Sequence, residues 1–244
     1  MRGEPDAKAG TIITFDDVRE CDFQRGQVSK VTIRSTSGAG VSGGADGEST
    51  GSAESGFDAR ELVSLEPYEL LDNPVLGHQY RLIRRGSDER GDYLHSEFRF
   101  RSDARHFDAH IHPEQEERIR VLSGEFEVVV DGERRTLVAG QEATLPAGVP
   151  HYHGNVNGVE TRVLHEIRPV LDFEAGLRMF CELARTGRTN AKGGNLLATA
   201  VFLGRHPNQL YMATPSIRVQ DLLVRVLAPV GRLLGYEEEY PPAR

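Results

Sequence analysis

Residues 109–124 read AHIHPEQEERIRVLSG, with His110 and His112 one residue apart and Glu117 shortly after them. On an extended strand, residues i and i+2 share a face, so the two imidazoles project together. Glu117 follows a turn opened by Pro113 and begins the next strand, where a carboxylate can complete a site that two imidazoles start. Further on, GQEATLPAGVPHYHGN at 140–155 uses Pro146 and Gly148 as a turn that delivers His151 on another strand. Three neutral imidazoles and one carboxylate make a mixed nitrogen–oxygen donor set with room for water or substrate. Such a set suits Fe, Mn, Ni, Co or Zn and not Ca or Mg. The expectation is one divalent transition metal per chain, held by His110, His112, Glu117 and His151.

Other residues near these positions have weaker claims. His153 shares parity with His151 and is the available general acid or base, or else a rim residue. His106 and Asp108 share the parity of His110 but lie toward the strand start. His165, in RVLHEIR, reads as a half-buried strand residue, and Tyr152 should face away from its two flanking histidines and pack. Only Cys21 and Cys181 are present, which is no disulfide framework, so both are read as reduced thiols of a cytoplasmic protein.

The elements that must position these residues follow from periodicity. HQYRLIRR, DYLHSEFRFR, RIRVLSG, EFEVVVDGERRTLVA, EATLP and ETRVLHEIRP alternate or run β-branched and aromatic, and Gly- and Asp-rich turns separate them. Asp131 and Gly132 between two apolar runs predict a hairpin. Short strands at this spacing predict an all-β sandwich or barrel over 60–169. After Pro169 the period lengthens toward a helix repeat. LDFEAGLRMFCELART, with Asp172 as N-cap, GNLLATAVFLGR and SIRVQDLLVRVLAPVGRLLG predict three helices in a C-terminal extension, 170–244, the last bent or broken at Pro229. Arg218, Arg225 and Arg232 should form a solvated stripe opposite the leucines. Residues 35–59 are mostly Gly, Ser and Ala and predict a disordered end to a largely disordered segment 1–59. Within it, TIITF and KVTIR could be strands that pair with the main domain.

The residues around the four candidate ligands resemble the two motifs of the cupin superfamily, G-x5-H-x-H-x3–4-E-x6-G and G-x5-P-x-G-x2-H-x3-N. His110, His112, Glu117 and Gly124 fall in place in the first, and Gly140, Pro146, Gly148, His151 and Asn155 in the second. The spacing to Gly124 selects Glu117 over Glu116. One departure is Ala104 at the leading glycine position, where alanine disfavours a positive φ. The resemblance covers roughly 70–168. It implies a mainly β fold, a cupin-type jelly-roll barrel of six to eight strands with the metal inside.

Composition narrows the function classes. A net charge of −8, with the acidic excess before residue 170, argues against a nucleic-acid surface. No apolar run approaches the roughly 20 residues of a membrane span. The partner expected is a small-molecule ligand or substrate, with a second copy of the chain as a homodimer covering the leucine-rich tail. A metal with open coordination positions makes a mononuclear-metal dioxygenase the leading expectation. The alternatives are a metal-dependent isomerase or cyclase using His153, and a non-catalytic binding module.

Overall fold

The computed structural model describes residues 58–156, 158–190 and 193–236, with the backbone of 23–24 and 27–28. Those four residues form strands β1 (Phe23–Gln24) and β2 (Gln27–Val28), an antiparallel pair in a unit of its own. The strands predicted at TIITF and KVTIR, and the predicted linker up to residue 57, lie outside the described residues.

The second unit begins with helix α1 (Ala59–Ser64), unforeseen in the sequence reading. The Asp58 carboxylate caps it, accepting from the Arg60 and Glu61 amides. Leu62 packs from this helix onto Ile83 and Leu164. Strands β3 (Glu69–Asn73), β4 (His78–Asp88), β5 (Gly91–Phe100), β6 (His110–Ile111) and β7 (Glu116–Ser123) follow. Next come β8 (Glu125–Val130), β9 (Glu133–Val138), β10 (Glu142–Leu145), β11 (His151–Asn155) and β12 (Thr161–Arg168). The predicted hairpin joins β8 to β9 through Asp131 and Gly132, both at positive φ.

Two antiparallel sheets result. One has the order β10-β7-β12-β5-β4-β3, and the other β13-β6-β11-β8-β9, where β13 (Tyr211–Met212) comes from the C-terminal segment. Their inner faces share one core, in which Leu82, Phe98, Ile119 and Ile167 of the first sheet meet Phe126, Val128 and Leu137 of the second. This is a jelly-roll sandwich with open edges. Its eleven strands exceed the six to eight implied by the motif resemblance, partly because β3 and β13 extend the edges.

Three helices complete the segment: α2 (Phe173–Arg185), α3 (Leu196–Arg205) and α4 (Ile217–Leu233). Asp172 precedes α2 but makes no side-chain cap bond; its carboxylate lies 2.7 Å from His206 Nδ1 instead. Of the bend or break expected at Pro229, the break does not occur, since α4 runs through it. Nor are the leucines of α4 covered: its buried residues are the small Ala228 and Gly231, while Leu222, Val226 and Leu233 are exposed. None of the described helices is long and apolar enough to cross a membrane.

Candidate metal centre

His110 on β6 stands directly opposite His151 on β11 in the antiparallel register, which brings their ring centroids to 4.6 Å. His112 lies just past the end of β6 and not within a strand, yet its ring comes to 5.1 Å from that of His110. The turn after Pro146 holds this arrangement. Gly148, at φ +75, donates its amide to the His112 carbonyl at 2.7 Å, so a residue able to adopt the left-handed region ties one histidine segment to the other. Ala104 does not have a positive φ, so the position where a motif glycine is replaced needs none.

Glu117, near the start of β7, arrives from the other sheet. Its Oε1 lies 3.0 Å from His112 Nε2 and 3.5 Å from His151 Nε2. One donor atom from each of His110, His112, Glu117 and His151 falls within 4.8 Å of the others, and all four residues are buried.

The outer nitrogens decide which way the lone pairs point. His110 Nδ1 donates to the Asp108 carbonyl at 3.0 Å, and His151 Nδ1 to that of Val149 at 2.8 Å. His112 Nδ1 donates to the Gln209 carbonyl at 2.9 Å, with Gln115 Oε1 at 3.1 Å. With Nδ1 carrying the proton in each ring, every Nε2 is left to offer a lone pair toward the centre. His151 Nε2 is buried with no hydrogen-bond partner. That would be costly without a ligand and is natural beside a cation. The donor set therefore fits a transition metal.

Electrostatics agree. Burial and the facing imidazoles of His151 and His112 hold His110 neutral, well below the ordinary value of 6.5. Burial would raise the Glu117 pKa, but contacts with His112, His151, His153 and His165 outweigh it and keep the carboxylate ionised. At His112 burial acts downward, and the Glu117 carboxylate reverses it, raising that imidazole. A metal must therefore displace a proton from His112 to bind.

Neighbouring residues complete the site. His153 is close, its Nε2 3.5 Å from Glu117 Oε2. Its Nδ1 is buried without a hydrogen-bond partner, and burial holds the ring neutral. His165 is fully buried, not half-buried: it donates to Glu117 Oε2 at 2.9 Å and stacks on Phe98 at 4.4 Å. Gln115 accepts from Gln209 Nε2 at 2.8 Å and donates to the Pro169 and Val170 carbonyls. The sequence reading gave Gln115 and Gln209 no part in the site. A buried glutamine between two ligands was a faint signal for the first, and none existed for the second. Glu116 is partly exposed and pairs with Arg90, His106 binds the Asn155 carbonyl, and Tyr152 turns outward to Glu127.

Residues 96–165, a span holding all four clustered residues, match the family profile described as Cupin domain. The chain thus carries a cupin domain over these residues. No curated protein matches it. Similar solved structures include KdgF from Halomonas sp. (21% identity, TM-score 0.36, 41% of this chain and 84% of that one). An RmlC-like cupin from Shewanella frigidimarina is similar at 23% identity and TM-score 0.34, over 41% and 81% of the two chains. The polyketide cyclase RemF from Streptomyces resistomycificus is similar at 22% identity and TM-score 0.31, over 37% and 64%.

Proposed function

We propose that the chain is a mononuclear-metal enzyme of the dioxygenase type, with the metal held by His110, His112, Glu117 and His151 and a small organic substrate bound beside it. One observation carries this reading. His110, His112 and Glu117 form part of the wall of an otherwise largely apolar cavity of about 370 Å³, so a metal held by them would border a space that disfavours water. A bound Zn ion would supply Lewis acidity alone, whereas a bound Fe, Mn, Ni or Co ion would supply Lewis acidity and redox chemistry toward O2. In such a reaction both atoms of O2 enter the product and the substrate gives all four electrons, so no reductant has to be bound.

The chain's own residues bind, orient and handle the proton. The carbonyls of Asp108, Val149 and Gln209 fix the three imidazoles, and His165 fixes Glu117. His153 lines the cavity as a neutral imidazole, and its unpartnered Nδ1 would take the proton of a substrate hydroxyl. That same nitrogen favours a second reading, an isomerase or cyclase in which His153 is the general base and the metal a Lewis acid. A homodimer belongs to the proposal as well, since the exposed leucines of α4 call for a cover.

An oxygen electrode separates these readings. Metal-loaded protein with a panel of phenolic and enolic substrates should consume one O2 per product formed. Conversion that proceeds equally under anaerobic conditions and collapses in His153→Gln would favour the isomerase or cyclase. Tight binding without conversion would leave a binding module.

A further inference from the structure

We infer that the cavity takes an uncharged, flat aromatic molecule bearing one oxygen donor, and that the C-terminal segment sets this choice as much as the barrel does. The inference deepens the reading above and rests on it only for the metal at the cavity floor. The barrel side contributes the rings of Tyr80, Phe98 and Phe107, and the C-terminal segment those of Phe173, Phe180 and Phe202. Across the seam, Phe107 and Phe180 meet edge to face with centroids 5.4 Å apart. Gly176 lets the two helices supply their rings together: a Cβ there would lie 3.0 Å from Phe202 Cζ. Walls of this kind recognise a planar π-face.

Other ligand classes find few partners. Apart from His153, whose Nδ1 is unpartnered, the larger polar side chains of the wall are engaged. Asn195 caps α3 and binds the Arg188 carbonyl. Gln209 binds Gln115 and the Asp172 amide, and His78 lies between the Arg105 carbonyl and Tyr80 Oη. A polyol would give up water at most of its hydroxyls with little in exchange. Among the described residues no Lys or Arg lines the cavity, while the carboxylates of Glu117 and Asp108 do, so away from the donor cluster an anion would find no cationic side chain. The volume lies near the low end of the 300–1,000 Å³ common for small-molecule pockets, which suits a bicyclic frame.

The test is calorimetric titration of the full chain, metal-loaded and metal-free, with 2-naphthol and 2-naphthyl phosphate, which share one ring system. Naphthol should bind at least about 100-fold more tightly to the metal-free form, as expected for an uncompensated charge entering an apolar site, and the metal-loaded form shows how far the cation offsets that difference. Thr199→Trp fills the cavity from α3 and should weaken naphthol at least about tenfold with metal content unchanged. Phe180→Leu, which keeps apolar bulk, should weaken it several-fold through the lost ring contact. Equal or tighter phosphate binding by the metal-free form would overturn the inference. Phosphate preference that disappears in Lys192→Met, a residue adjacent in sequence to lining residues, would do so too. So would naphthol affinity unchanged by both wall variants, or no naphthol binding at all. Failure of the metal reading would show separately, as absent metal or absent O2 uptake, because naphthol binding to metal-free protein does not depend on it.

Discussion

At Glu117 one carboxylate answers to four imidazoles, and His165 is the one outside the candidate donor set that fixes it most closely. Replacing His165 by Leu keeps most of the bulk against Phe98 but leaves Oε2 without its 2.9 Å donor. Metal affinity, measured by chelator competition, should fall about 10- to 100-fold, as is usual when the partner of a ligand is removed. Unchanged affinity would show that His165 only packs. The candidate donors were legible because strand parity and turn chemistry act over a few residues. His165 was not, because its contact with Glu117 is a diagonal one across β7 and β12, and pairing register is invisible in a single chain.

Among the elements, β13 changes what the C-terminal segment is for. Tyr211 and Met212 pair with Ile111 and His110, and the Gln209 carbonyl holds His112. Residues read as a covering layer thus form part of the candidate site. Truncation after Pro169 should therefore lower metal affinity as well as stability, and remove the cavity wall built by α2 and α3. A soluble truncated protein with full metal content would contradict this. The three helices were legible from their 3.6-residue period and the hairpin from Asp131–Gly132. A two-residue strand such as β13 carries no period, and it forms only because β6 presents an edge to pair with. Helix α1 does carry a signal in the sequence: Asp58 is followed three residues later by Glu61, the pattern of a capped N-terminus.

Across the whole molecule, charge and uncovered surface set two expectations. Glu166 is fully buried on the strand that carries His165. Burial would raise its pKa, but hydrogen bonds from His95 and Arg168 bring it down to about 2. Its ordinary value is 4.5, so its contribution is present above that pH and is lost as pH falls toward 2. The loss is on the order of 3 kcal/mol, and Glu166→Gln should flatten the pH dependence of the denaturation midpoint in this window. The exposed stripe of Leu222, Val226 and Leu233 predicts a dimer through α4. Light scattering should show Leu222→Asp/Val226→Asp as a folded monomer beside a dimeric parent; a monomeric parent would remove that role. The heptad of arginines was legible in the sequence, but the exposure of the leucines was not, because Ala228 and Gly231 gave α4 a small-residue face to pack instead. The central claim, a transition metal among His110, His112, Glu117 and His151, is tested most directly by anomalous diffraction at the metal edge from crystals of the intact chain. The account predicts one strong peak per chain, about 2.0–2.2 Å from His110, His112 and His151 Nε2 and from a Glu117 carboxylate oxygen. No peak in metal-supplemented crystals, or a peak bound elsewhere, would contradict it.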